Sequence, residues 1–190
     1  MTAEGLASAF ALTRNVLANV QPEQLDNPTP CVSWDVRRLV NHIVGGSHWF
    51  AITTNSGAAP EVDTSADTDY TQGDMLASYD DGIAAALAAF ESPGAQEKMV
   101  QLPFGEFPGA MFMGLATIDQ FTHGWDLARA TGQDTNLAPE MAEQLLATCR
   151  VAIPDQFRGP DGQAPFGPEA TPPEGASAAD RLAAFLGRSL

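Results

Sequence analysis

Asp119 and His123 stand four residues apart, and His42 lies far upstream of them. An aspartate and a histidine at that spacing are neighbours on one face of a helix. On a helical wheel they share a stripe with Phe112, Leu115, Ala116, Asp126 and Ala130. An acid and an imidazole turned toward a core must be paired, hydrogen-bonded or metal-bound, because burying them bare is costly. His42 shares a face with Asp35, Leu39, Gly46 and Trp49, while Val36, Val40, Ile43 and Phe50 form an adjoining face for core packing. His48 is six residues on, about 240° around the helix, and is excluded as a partner of His42. Two imidazoles and one carboxylate form the set used where a metal keeps open positions. Zinc is the first choice for them, with nickel, iron or manganese also suited. The spacing is not specific, since Asp-x-x-x-His recurs by chance and is not the His-Glu-x-x-His of zinc proteases. Spacing alone therefore gives more weight to a plainer arrangement: an Asp119–His123 ion pair, with His42 a hydrogen-bonded core residue.

Helical periodicity dominates the elements that must position these residues. A first helix is expected over about 2–20, with Leu6, Phe10, Thr13 and Leu17 along one stripe. Pro22 and the Pro28-Thr29-Pro30 cluster then break the chain. Ser33 is the expected N-cap of a second helix to about 54, with Asp35 in its first turn. Residues 57–69 read as an acidic surface loop, and 72–90 as a third helix stopped by Ser92-Pro93-Gly94. Residues 97–107 alternate weakly and suggest a short hairpin. The fourth helix should start near Pro108 and stop near Gly132. A fifth follows over 139–149, then an irregular Pro- and Gly-rich stretch over 153–175 and a short helix over 176–187. The expected fold is all-α: a four-helix bundle with short C-terminal helices, as one domain over 1–190.

The chain carries 24 acidic and 9 basic residues, a formal charge of -15. Nine scattered cations supply no basic stripe, which excludes nucleic acid and argues against anionic membrane surfaces. The N-terminal stretch opens with Glu4 and no basic start, so no signal peptide is expected, and no apolar run is long enough to span a bilayer. Cys31 and Cys149 are the two cysteines, no disulfide framework, and point to a reducing cytoplasm.

Three ordered motifs carry a family resemblance over nearly the whole chain. They are Thr29-Pro30-Cys31-Val32-Ser33-Trp34-Asp35-Val36 through His42; His123-Gly124-Trp125-Asp126-Leu127-Ala128-Arg129-Ala130; and Phe166-Gly167-Pro168 with Asp180-Arg181-Leu182 and Leu186-Gly187-Arg188. They resemble the actinobacterial DinB-like metal-binding family related to the N-terminal domain of mycothiol-dependent maleylpyruvate isomerase. The resemblance implies a four-helix bundle with a metal near one end, held by a histidine on the second helix and by a carboxylate four residues before a histidine on a later one. His42, Asp119 and His123 occupy those positions. The isomerase resembles this chain but uses Glu where Asp119 stands, one methylene longer. It also has a separate C-terminal domain with no counterpart expected here. Both departures bear on the isomerase reaction more than on the metal.

Asp126 is a candidate acceptor for an imidazole N–H, with a solvent-facing carboxylate as its alternative. Arg129 could hold an anionic substrate or pair at the surface. Trp34, Trp49 and Trp125 could line a pocket, though core packing is the plainer role. Cys31 precedes a helix N-terminus, where a thiolate is favoured, and packing is again the plainer role. Three functions stay open. One is a metal-dependent transferase or isomerase using a small thiol, mycothiol, bound as thiolate at an open metal position and directed at an electrophile. The others are a non-catalytic metal-binding bundle, structural or sensing, and a helical interaction domain without metal. The sequence allows a homodimer but offers no interface for one, and it leaves metal identity and substrate open.

Overall fold

The computed structural model describes residues 2–60, 68–160, 163–164 and 166–190. Most of the expected polar loop, residues 61–67, therefore lies outside the described residues. The order is α1 (Ala3–Leu17), α2 (Val36–Ser56), α3 (Met75–Glu91), β1 (Met99–Leu102), β2 (Gly105–Pro108), α4 (Gly109–Thr131), α5 (Pro139–Ala152) and α6 (Ala178–Phe185), with short 3-10 turns between. Among the described residues the fold is all-α apart from one hairpin, β1 pairing antiparallel with β2.

Local chemistry sets the helix ends. Asp35, not Ser33, caps α2: its carboxylate accepts from the Arg38 amide at 2.8 Å. Ser33 lies in the turn before it, where the Trp34 amide donates to the Cys31 carbonyl. An aspartate at this position also places negative charge at the positive end of the helix dipole. α3 begins three residues later than expected, because Asp74 caps it at the Ala77 amide. Gly132 ends α4 at φ 71, a left-handed conformation natural to glycine.

Helices α1 to α4 form the bundle: α2 packs on α3 and α4, and α1 on α4 and α3. Phe10, Leu39, Ile43, Phe90 and Phe112 fill its core with essentially no exposure. A second cluster forms on the outer side of α4, where Phe121 and Trp125 meet Leu145 of α5 and Leu182 of α6. The Trp125 indole donates to Asp180 at 2.9 Å, fixing α6 to α4. The two helical layers leave almost no free face on α4, which is buried from Gln120 through Ala128.

α2 and α3 approach closely at Gly82, where an added Cβ would collide with the Ser47 hydroxyl. Gly82→Ala should therefore lose about 1–3 kcal/mol from overpacking, against the gain usual for Gly-to-Ala within a helix. A lowered urea midpoint with unchanged slope would check this.

Candidate metal centre

α2 supplies His42 and α4 supplies Asp119 and His123, and the bundle brings all three together. His42 Nε2 lies 3.3 Å from Asp119 Oδ1, and His123 Nε2 lies 3.5 Å from the same oxygen. One ligand atom from each lies within 4.8 Å of the others. The imidazole planes stand edge to face, with centroids 4.6 Å apart. His48 faces elsewhere, its Nε2 2.9 Å from the Ser78 carbonyl.

The donor set fits a divalent ion. Ligand atoms held tetrahedrally at about 2.0–2.1 Å from zinc stand about 3.3 Å from one another. The 3.3 and 3.5 Å separations of the two imidazole nitrogens from Asp119 Oδ1 lie close to that. The carboxylate is held by hydrogen bonds on both oxygens. Its other oxygen, Oδ2, accepts from Gln120 Nε2 at 3.2 Å, and the Gln120 side-chain oxygen accepts from buried Tyr79. Burial pushes the Asp119 carboxyl up, but the imidazoles of His123 and His42 outweigh it and hold the group below its ordinary value.

His123 is oriented from behind. Its Nδ1 lies 3.0 Å from Asp126 Oδ2, which leaves Nε2 facing Asp119. Asp126 is wholly buried and is not a solvent-facing carboxylate. Arg188, from the C-terminal tail, donates to it through Nη2 at 2.9 Å and Nε at 3.2 Å. The Cys31 thiol donates to the same carboxylate at 3.3 Å and lies 3.7 Å from Arg188 Nη2. Burial alone would raise the Asp126 carboxyl. The Arg188 charge and the His123 hydrogen bond reverse this and hold it far below the carboxylate range.

The tail reaches this point through a backbone contact that excludes side chains. Gly187, at φ 91, presses on the backbone of Gly167, where a Cβ would clash. Arg158 fastens the same segments by donating to the carbonyls of Gly167 and Phe185. Arg188, which the sequence marks only as part of the tail motif, is thus the arginine at the centre. Arg129 sits exposed on the last turn of α4, lining a separate hollow with Asn27 and Pro28. A cation there suits the helix C-terminus.

Two cavities open on the site, one lined by His42, Asp119 and His123 and the other by Asp119 and His123 alone. The wider, about 510 Å³, is bounded by Cys31, Trp34, Pro168 and Arg188. Trp34 leans over both imidazoles, its ring 4.7 Å from His42 and 5.6 Å from His123. The smaller, about 220 Å³, is bounded by Trp49, Leu115 and Ile118. Of the three tryptophans, Trp34 and Trp49 line these cavities and Trp125 packs in the core.

Comparison with known proteins agrees with this architecture. Residues 6–128 match the family described as the mycothiol maleylpyruvate isomerase N-terminal domain. Two uncharacterized proteins of Mycobacterium tuberculosis strains, MT0763 and Rv0738, are 42% identical over 179 residues, covering 92% of this chain and 91% of theirs. The crystal structure of a mycothiol-dependent maleylpyruvate isomerase superposes with a TM-score of 0.59 at 15% identity, covering 77% of this chain and 68% of that one. At that identity the likeness is one of fold.

Proposed function

Because this chain belongs to the mycothiol maleylpyruvate isomerase N-terminal domain family, we propose that it holds one divalent metal ion, zinc in first place, through His42, Asp119 and His123. We propose further that it uses a low-molecular-weight thiol, mycothiol, in a transferase or isomerase reaction on an electrophile. The observation that carries the first step is the convergence of two imidazole nitrogens and one carboxylate oxygen within 4.8 Å, at the meeting of two cavities. A divalent ion bound there would supply the positive charge that keeps a thiol ionised at neutral pH.

The chain's own residues do the rest. Asp126 fixes the ring of His123, and Gln120 fixes the carboxylate of Asp119. The wider cavity, with Trp34 on one wall and Arg188 on another, admits a polar thiol. The sulfur lone pair forms a bond to the electrophilic carbon. In a transfer, that carbon's leaving group departs with its bonding pair and takes up the thiol proton. In an isomerisation, the sulfur leaves again and nothing is consumed. The reading is cytoplasmic. No helix among the described residues is long and apolar enough to cross a membrane.

The test is metal analysis of tag-free protein after incubation with zinc, nickel, iron and manganese, alongside His42→Ala. About one equivalent on the wild type and a large loss in the variant are expected. No retained metal on either would overturn the metal reading. Consumption of an electrophile only when mycothiol is present tests the second step, and its absence in metal-loaded protein would leave a non-catalytic metal bundle.

A further inference from the structure

The two oxygens of Asp119 meet different surroundings. Oδ1 faces both imidazoles, 3.3 Å from His42 Nε2 and 3.5 Å from His123 Nε2. Oδ2 accepts from Gln120 Nε2 at 3.2 Å. Gln120 is wholly buried and lines neither cavity at the site, so it acts on the carboxylate from behind. Adjacent residues on a helix do not face each other, so this contact requires the long Gln120 side chain to bend back toward Asp119.

The other three bundle helices surround that bend. Gln120 Oε1 accepts from the hydroxyl of Tyr79 on α3, itself wholly buried and edge-on to Phe10. The Gln120 carbonyl accepts from Thr13 Oγ1 of α1 at 2.7 Å. On α2, Gly46 passes close by, where a Cβ would stand 3.6 Å from Gln120 Nε2. The direction of the amide follows from its partners. An ionised carboxylate only accepts, so the NH2 end faces Asp119 and the oxygen end faces Tyr79. Tyr79 thereby satisfies the far end, and the amide stays buried at no loss. Packing alone would be served by a methionine at 120. Instead a polar chain crosses the core from Tyr79 and ends on one oxygen of Asp119.

We propose that Gln120 is a positioning residue that keeps Asp119 a one-oxygen ligand: it holds Oδ2 back, so that the position a second carboxylate oxygen would fill stays open to a thiol. The inference rests on the metal reading above and concerns what that reading leaves unassigned, the source of the open position. Two imidazole nitrogens and Oδ1 make three ligand atoms, one short of a closed tetrahedral set. Without Gln120, the carboxylate is free to turn about its Cβ–Cγ bond and offer both oxygens, which closes the set from within the protein. Tyr79 acts one step further back, through the amide.

The test loads tag-free protein with cobalt(II), a spectroscopic substitute for zinc, and titrates in 2-mercaptoethanol, read by the sulfur-to-cobalt charge-transfer absorption. Cobalt is kept saturating, so that a change in metal affinity does not enter. Gln120→Met keeps an unbranched side chain of similar length but has no donor for Oδ2. It should raise the thiol dissociation constant about 10- to 100-fold, the worth of a hydrogen bond to a charged group. Tyr79→Phe disturbs the same core but keeps the amide donor, and should stay within about threefold, the low end for a neutral hydrogen bond. The double variant Tyr79→Phe/Gln120→Leu removes both members of the buried pair, which costs less stability than orphaning one. It should repeat the Gln120→Met loss, and it decides the matter if the single variant fails to fold. Infrared difference spectra of zinc-loaded against metal-free protein give a second reading. The gap between the two carboxylate stretches should narrow in Gln120→Met as two-oxygen coordination replaces one. Thiol binding no tighter in the wild type than in Gln120→Met, or a Tyr79→Phe loss as large as that of Gln120→Met, overturns the proposal. The two readings fail differently. A wild type that retains neither cobalt nor zinc removes the metal reading and this inference together, whereas retained metal with unaltered thiol binding removes this inference alone.

Discussion

Arg188→Met should destabilise the metal-free protein by about 3–5 kcal/mol, the cost of leaving one member of a buried ion pair behind. The remaining member, Asp126, is wholly buried, and the methionine cannot replace either guanidinium hydrogen bond. The pH dependence identifies the cause. In the wild type the Asp126 carboxyl is depressed in the folded state, despite burial, by Arg188 and His123. A depressed folded value contributes stability that is complete above the unfolded value of about 3.9 and drains as pH falls below it. In Arg188→Met, burial is opposed only by His123 and the Cys31 thiol among the described residues, and the carboxyl shifts upward. The difference between the two proteins should therefore be largest near neutral pH and shrink on acidification. Urea unfolding of chelator-treated proteins at neutral pH and near pH 4 measures this. A constant difference across that range would mean that lost packing, and not charge, carries the effect.

The same cluster marks the division between what could be read in the chain and what could not. Helix α4 was legible at both ends, since Pro108 and Gly132 punctuate it, and its Asp119–His123 spacing placed two candidate ligands on one face before any coordinates. Asp126 followed from the need of a ligating histidine for an acceptor. His42 was legible as a helical residue on α2, but its convergence with α4 is a tertiary fact, suggested only by the family resemblance. Ser33 was the expected cap and Asp35 a first-turn acid, yet Asp35 caps the helix, because both residue types suit the position and the backbone chooses between them. Arg188 stayed hidden for a different reason. It lies 62 residues from Asp126 and reaches it through a Gly167–Gly187 backbone contact that has no periodic signature. Arg129 was the nearer arginine in sequence, yet it projects from an exposed turn.

Asp126→Asn should reduce metal affinity about 10- to 100-fold without touching any of the three proposed ligands, the range found when the acceptor behind a ligating histidine is altered. Asparagine keeps the shape and can still accept from His123 Nδ1, so the ring need not turn. What disappears is the negative charge that makes the imidazole a stronger donor and that balances Arg188. The loss should therefore appear in affinity, while the number of ions bound at saturation stays near one. Competition with a chromophoric chelator gives the affinity, and thermal unfolding gives an independent reading. Free zinc at about 100 times its dissociation constant adds about 2.7 kcal/mol to a protein that binds it only when folded. At that same zinc concentration a 100-fold weaker variant keeps only about 0.4 kcal/mol, from the same relation. A variant whose zinc-induced stabilisation equals that of the wild type at subsaturating metal would show that Asp126 serves Arg188 and the tail alone, and that His123 needs no carboxylate behind it.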